Sequence, residues 1–122
     1  MDKYELEIEN LKNNINYENC ISFKDVDSNV ERGEVKITKK LFEQADFLIF
    51  FKQTKEQQKE SEKQIQELRS AIKNKTADFP AIAIIKHPTY NFIADGNHRV
   101  YALFKEDVAN YEALYIKRKW TL

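Results

Sequence analysis

Several residue types that often define a protein class are scarce in this chain of 122 residues. With one cysteine, Cys20, no disulfide can form within the chain, and a reducing, cytoplasmic setting is expected. Only two glycines and two prolines are present, so irregular structure should be limited. The longest apolar run, Phe47 to Phe51, is far too short to span a bilayer, and the N-terminus lacks the pattern of a signal peptide.

An excess of charge of either sign is also missing. The 20 basic and 20 acidic residues cancel, which argues against a protein whose main task is to grip the backbone of nucleic acid. Two histidines and one cysteine offer no zinc-ligand spacing. With 42% hydrophobic and 33% charged residues, the composition is that of a single globular domain rather than of a disordered chain.

Apolar residues recur at helical spacing in the first two thirds of the chain. Residues 2–19 are predicted to form a helix capped by their first residue, with Glu5 completing the cap, although alternating apolar residues there also allow a strand. A second helix is predicted after its cap, Thr38. The charged run Thr54 to Gln64 is either a solvated helix or a connection, and its surface is expected to face water. The helical stripe that follows it should fade near Asn74.

Aromatic residues are concentrated in the second predicted helix, at Phe47, Phe50 and Phe51. They widen its apolar face beyond an ordinary stripe. The helix is therefore either buried on most sides, or it presents an aromatic patch to a protein partner or to a second copy of the chain. Burial ranks first, because an apolar cluster in a small protein is more often part of the core.

Short strands complete the pattern. Ile21 to Phe23 is predicted to be an edge strand, and Lys24 to Gly33 a polar connection. Ala81 to Lys86 and Asn91 to Ala94 are predicted to form a hairpin. Alternation from Tyr111 to Lys119 predicts a last strand with neighbours on both sides. Together the elements predict an α/β (α+β) fold with a small mixed sheet and helices packed around it.

The most informative stretch is Asp95-Gly96-Asn97-His98-Arg99, where the hairpin ends. A strand that stops at glycine and opens directly into a helix presents free backbone N–H groups, which favour a bound anion such as phosphate. The helix dipole disfavours a cation at this end, so Arg99 requires an anion nearby, either a carboxylate of the protein or a ligand phosphate. His98 could donate to phosphate, transfer a proton, or make a structural hydrogen bond. Asp95 could also simply cap the helix.

Residues 95–102, Asp-Gly-Asn-His-Arg-Val-Tyr-Ala, resemble the D-G-x-H-R-x-x-A signature of the ParB/sulfiredoxin superfamily. Its members include plasmid-partition proteins, sulfiredoxins, a free-serine kinase and ParB-like nuclease domains. The resemblance divides the chain into an N-terminal helical extension, residues 1–20, and a ParB/sulfiredoxin-like domain, residues 21–122. Asn97 stands where a sulfiredoxin has its catalytic cysteine, so reduction of a sulfinic acid is not expected.

The resemblance implies a nucleotide bound over this turn. Phosphates of a nucleoside triphosphate or diphosphate, ATP or CTP, would lie against residues 96–99, that is Gly96, Asn97, His98 and Arg99. Asp95 would assist Mg²⁺ or a proton transfer. In the superfamily an earlier loop supplies further polar groups, which makes Glu31 the candidate base and Arg32 a candidate phosphate ligand. A plain solvated loop is the alternative for both, and it is preferred.

The leading hypothesis is therefore a nucleotide-binding domain that catalyses phosphoryl transfer or hydrolysis, with Asp95, His98 and Glu31 as catalytic residues. One alternative is a non-enzymatic interaction factor of a phage or mobile element, which would contact its partner through the aromatic patch. Another is a DNA nuclease that uses the basic–aromatic tail of residues 117–120, which the neutral net charge disfavours.

Overall fold

The computed structural model describes residues 1–14, 26, 29–51 and 53–117. In chain order these form α1 (Lys3–Asn13), β1 (Val30–Lys36), α2 (Lys39–Phe50), α3 (Lys55–Lys73), β2 (Ile82–Lys86), β3 (Asn91–Asp95), α4 (Asn97–Lys105) and β4 (Asn110–Ile116). The four strands form one mixed sheet in the order β1-β4-β2-β3, in which β2 and β4 run parallel. The predicted α/β (α+β) class is confirmed. Within the described residues, no helix combines the length and apolar character needed to cross a membrane.

The helices begin at residues whose side chains satisfy free backbone N–H groups. Asp2 caps α1 and forms a capping box with Glu5, as predicted. Thr38 caps α2, also as predicted, and Thr54 caps α3. The third helix runs without a break for 19 residues and ends at its C-cap, Asn74. The charged run is therefore the first half of a helix and not a connection.

Helices cover the sheet on both faces. On one face, α2, α3 and α4 enclose the larger core, to which β2 contributes Ile82 and Ile84. On the other face, α1 packs over the alternate residues Ala83 and Ile85. Successive strand residues point to opposite faces, so a strand segment buried on both must be apolar, as β2 is from Ile82 to Ile85. The helix predicted within residues 1–20 thus packs on this face of the sheet, where Leu11 is part of the core.

The segment before α2 differs from the prediction. The polar connection expected over Lys24 to Gly33 gives way at Val30 to β1, which pairs antiparallel with β4. As an edge strand with largely exposed side chains, β1 carries charged residues at most positions, so its sequence resembles a loop. The strand predicted over Ile21 to Phe23 and most of the tail at 117–120 lie outside the described residues.

The C-terminal half follows the prediction closely. β2 and β3 form the expected hairpin, and β4 lies between β1 and β2, with neighbours on both sides. The hairpin delivers the chain to Asp95 at the edge of the sheet, and α4 begins two residues later. The predicted turn therefore stands where a strand at the sheet edge passes into a helix.

Candidate functional site

The turn between β3 and α4 is built around Gly96. Its φ of 109° and ψ of 25° place it in the left-handed region, which a residue with a Cβ adopts only with strain. A Cβ at this position would also lie 3.1 Å from Cζ of Arg99, whose guanidinium packs against the glycine. Glycine therefore permits both the sharp change of direction and the close approach of this side chain.

The helix that follows starts with unsatisfied N–H groups. Its first hydrogen bond runs from N–H of Val100 to the carbonyl of Gly96, at 2.9 Å. The N–H groups of Asn97, His98 and Arg99 precede this bond and meet no acceptor within the described chain. Asp95 does not cap the helix, and no other side chain in the described part of the chain does so. The N-terminus of α4 thus offers the donors and dipole that suit an anion.

These groups border a cleft of about 510 Å³. One side is the turn itself, residues 95–99. The facing side is largely apolar and brings together α1, α3 and the segment before β2, through Leu6, Leu68, Phe79 and Pro80. Two amide side chains, Asn10 and Gln64, also reach it. The cleft consequently has a polar end at the helix terminus and an apolar wall beside it.

Arg99 is 9% exposed, and the protein itself binds its guanidinium. Nη2 donates to Oδ2 of Asp95 at 2.9 Å, and Nη1 donates to Oε1 of Glu7 at 3.1 Å. Nη1 also donates to the carbonyls of Pro80 and Ala81, at 2.9 and 2.7 Å. The sequence predicted that Arg99 needs an anion nearby, and the carboxylate of Asp95 supplies it. Arg99 therefore joins α1, the segment before β2, and β3, and its positive charge is already balanced.

Glu7 and Asn10 complete this cluster, and neither was predicted. Asn10 Nδ2 donates to Oδ2 of Asp95 at 2.7 Å and to Oε1 of Glu7 at 3.2 Å. Glu7 is fully buried. Burial, and next the hydrogen bond to Asp95, raise the pKa of Glu7 to about 8, against the opposing attraction of Arg99. The signal that could have revealed Glu7 is its place four residues before Leu11, on the buried face of α1.

The proton on Glu7 also accounts for an otherwise unsatisfied atom. As a carboxylate, Glu7 would leave Oε2 buried without a hydrogen-bond donor in the described residues. With a proton on Oε2, the side chain becomes a donor to the neighbouring carboxylate of Asp95. The cluster then holds one positive group, Arg99, and one negative group, Asp95, and is neutral overall.

His98 lines the cleft and is half-buried. Burial, and then the positive charge of Arg99, lower its pKa, while Asp95 acts in the opposite direction. The imidazole is therefore neutral at pH 7. Its Nε2 lies 3.0 Å from Oγ of Ser61 in α3. The charged run that begins α3 was expected to face water along its whole length. Ser61, which lies within it, is buried instead.

The structure does not bring Glu31 and Arg32 to the cleft. Both lie on β1, at the opposite edge of the sheet from β3, a separation of three strand spacings or about 14 Å. Glu31 forms exposed ion pairs with Lys86 and Lys117, and Arg32 with Asp2. Their surroundings match the solvated alternative rather than a base and a phosphate ligand.

Asp95 is the carboxylate among the described residues that line the cleft. Its Oδ2 is engaged by Arg99 and Asn10, whereas Oδ1 makes no hydrogen bond within the described chain. The described residues contain no group of three or more His, Cys, Asp or Glu suited to a metal ion. Mg²⁺ commonly binds one or two carboxylates together with substrate phosphates, and Asp95 fits Mg²⁺ in that mode.

Four parts of the chain therefore meet at one cleft: α1, α3, the segment before β2, and the turn that opens α4. The resemblance to the ParB/sulfiredoxin superfamily stays a hypothesis carried by the motif of residues 95–102. Comparison of the chain with models of protein families, with curated proteins and with solved structures gave no match to any of them.

Proposed function

We propose that this chain binds a nucleoside triphosphate or diphosphate, with the phosphates at the N-terminus of α4. The observation that carries the proposal is the turn at Gly96, where the left-handed glycine opens a helix whose first residues have unpartnered N–H groups in the described chain and line a cleft of about 510 Å³. Phosphate oxygens require several donors at short range, and the positive end of the helix dipole favours their charge.

The apolar wall supports a nucleotide rather than a free phosphate ion. Leu6, Leu68 and Phe79 offer a surface against which a flat base can lie. Phe79 is held in place by stacking on Tyr111, with ring centroids 5.0 Å apart. The volume of the cleft falls within the roughly 300–1,000 Å³ that is typical of small-molecule sites. An apolar wall next to a helix N-terminus matches the two chemically different ends of a nucleotide.

In this proposal the backbone binds the phosphates, and Arg99 stabilises the turn that presents it. Mg²⁺, ATP and CTP remain the expected ligands, with Oδ1 of Asp95 as the protein ligand of the cation. The cation, when bound, would supply positive charge to the phosphates. Any phosphoryl transfer or hydrolysis at the site would work through positioning and charge stabilisation.

Asn97→Asp is expected to weaken nucleotide binding by roughly tenfold or more, since a carboxylate about 4 Å from a phosphate repels it by more than 1.4 kcal/mol at a protein surface. The substitution preserves the shape of the side chain. Oδ1 of Asn97 is buried and has no hydrogen-bond partner in the described residues, so the new charge should also lower the stability of the fold, although its place in the first turn of the helix offsets part of that cost. Calorimetric titration with ATP, CTP and ADP, with and without Mg²⁺, measures the affinity, and thermal unfolding reports the fold.

Asn91→Asp is the matched control, because it makes the same charge change at an exposed position at the start of β3, away from the cleft. Its affinity should equal that of the native protein. The proposal is wrong if no nucleotide binds the native protein, or if Asn97→Asp binds as tightly as Asn91→Asp does.

A second candidate function, protein interaction without turnover, is favoured by the surface of α2. Phe47 and Phe51 are 54% and 64% exposed, and their rings stack with centroids 4.5 Å apart. Leu48 is exposed beside them. Phe50, which was expected to share this surface, packs instead against Tyr101 at the core. Adjacent exposed aromatic side chains are typical of binding surfaces.

For this candidate we expect Phe47→Ser combined with Phe51→Ser to abolish self-association while leaving nucleotide affinity unchanged. Sedimentation equilibrium over a range of concentrations measures the association. If the native protein stays monomeric at every concentration, then this surface does not bind a second copy of the chain.

A further inference from the structure

A chain of hydrogen bonds reaches His98 from the side of α3. Ser61 Oγ donates to Oε1 of Gln53 at 3.2 Å, and the same Oγ lies 3.0 Å from Nε2 of His98. Ser61 is buried, so its hydroxyl has little access to water. The connection that carries Gln53 is itself held by Gln58, whose Nε2 lies 3.2 and 3.3 Å from the carbonyls of Phe50 and Gln53.

The direction of these bonds determines which ring nitrogen carries the proton. A hydroxyl has one hydrogen, and the carbonyl oxygen of Gln53 can only accept, so both contacts of Ser61 are hydrogen bonds only when Ser61 donates to Gln53. In that arrangement the Ser61 oxygen accepts from His98, and Nε2 is the donor. A neutral imidazole has a single N–H, which leaves Nδ1 with a free lone pair. Nδ1 makes no hydrogen bond within the described chain, and the ring lines the cleft.

We propose that Ser61 and Gln53 are positioning residues that hold His98 as its Nε2–H tautomer, so that Nδ1 is kept as a hydrogen-bond acceptor for a ligand. This assignment reverses the expectation that His98 donates to a phosphate. A phosphate oxygen is itself an acceptor at neutral pH, and two acceptors do not pair. The group that Nδ1 suits is a hydroxyl, carried by water or by an alcohol.

The identity of that ligand group rests on the proposed function, whereas the tautomer does not. If phosphates occupy the N-terminus of α4, a hydroxyl bonded to Nδ1 lies beside them. The site then fits a nucleotide accompanied by a hydroxyl donor: a sugar hydroxyl of the ligand, a second alcohol substrate, or a water molecule. Arg99 and Asp95 are the charged groups that act on the ring, and they oppose each other.

Nitrogen-15 NMR of the protein without nucleotide tests the tautomer directly. The chain has two histidines, so the ring signals are simple to assign. We expect His98 to show a protonated Nε2, with a ring proton protected from exchange, and an unprotonated Nδ1. His87 is the internal control, because its Nδ1 accepts from N–H of Thr89 at 3.2 Å and no substitution at Ser61 should alter it.

Two variants separate positioning from mere packing. Ser61→Ala removes the acceptor, and the protected ring proton of His98 should be lost, whereas Ser61→Thr keeps a hydroxyl and should restore it. Gln53→Ala leaves α3 complete but frees the Ser61 proton to turn toward the ring, which should raise the share of the Nδ1–H form. This second variant keeps the test decisive if Ser61→Ala does not fold.

A protonated Nδ1 in the native protein would overturn the inference, as would a ring signal that neither Ser61→Ala nor Gln53→Ala changes. The result of the nucleotide titration does not depend on the result of the NMR test of the tautomer. A correct tautomer without nucleotide binding removes only the proposed function, and nucleotide binding with the other tautomer removes only the role of Ser61 and Gln53.

Discussion

Arg99→Ala is expected to destabilise the fold by about 3–5 kcal/mol, because it removes a buried guanidinium that donates four hydrogen bonds, and each lost bond of a charged group costs about 1.5–3 kcal/mol before the structure relaxes. The substitution leaves the carboxylate of Asp95 without its cation and the carbonyls of Pro80 and Ala81 without their donor. It also opens space beside Gly96, where the guanidinium packs. Urea denaturation followed by circular dichroism measures the loss. If Arg99 were only a phosphate ligand, as the sequence pattern suggested, this variant would instead keep its fold and lose phosphate binding.

Arg32→Ala is the matched control for that measurement. Arg32 is 52% exposed, and its pair with Asp2, at 2.8 Å, is even shorter than the Arg99–Asp95 contact. An exposed pair contributes at most about 1 kcal/mol, so the comparison separates burial from distance. Arg99→Lys should recover little, since a single ammonium group cannot reach four acceptors in different directions. Equal losses for Arg99→Ala and Arg32→Ala would show that the buried cluster does not stabilise the fold.

Local signals in the sequence were sufficient for most of the fold. Two helix starts could be predicted because Asp2 and Thr38 cap them through hydrogen bonds to residues three positions later. The end of the third helix could be predicted because its apolar stripe fades near Asn74. The alternating and apolar runs of β2, β3 and β4 carry the two-residue period of strands. β1 was missed because most of its side chains are exposed and only Val35 is buried, so its charged residues hide the strand period and resemble a loop.

The site was only half predictable for a related reason. Gly96 is one of two glycines, and polar residues follow it at a strand-to-helix junction, so the turn could be located from the sequence. The partners of its side chains are distant along the chain: Glu7 lies 92 residues from Arg99, and Ser61 lies 37 residues from His98. Such pairs arise from how α1 and α3 pack on the sheet. The pattern around Arg99 indicated that it needed an anion, but only tertiary structure could show that the protein supplies one.

We expect the stability of the native protein to fall between about pH 5 and 8 because of Glu7, and we expect Glu7→Gln to remove this contribution. The pKa of Glu7 is near 8 in the folded state and near 4.5 when the side chain is exposed. Within this window the folded protein holds a proton that the unfolded chain has released. Raising the pH therefore favours unfolding, with a slope of up to about 1.4 kcal/mol per pH unit from this group.

Glutamine keeps the acceptor for Arg99 and offers an N–H to Asp95, as the protonated acid does. The variant should match the native protein at pH 5 and exceed its stability at pH 8 by up to about 3 kcal/mol. At pH 8 the native fold must either keep Glu7 protonated, although the unfolded chain has released that proton, or bury a carboxylate, and glutamine requires neither. His98, whose pKa is lowered, adds a slope of the opposite sign near pH 6, but it does so equally in both proteins.

Urea denaturation at half-unit steps of pH gives the difference between the two proteins directly. Glu9→Gln, an exposed change of the same kind in α1, serves as the control and should follow the native curve. If the difference between Glu7→Gln and the native protein stays constant from pH 5 to 8, then Glu7 is ionised in the folded state. The buried cluster would then carry a net negative charge beside the helix terminus, and an anion could not be expected to bind there.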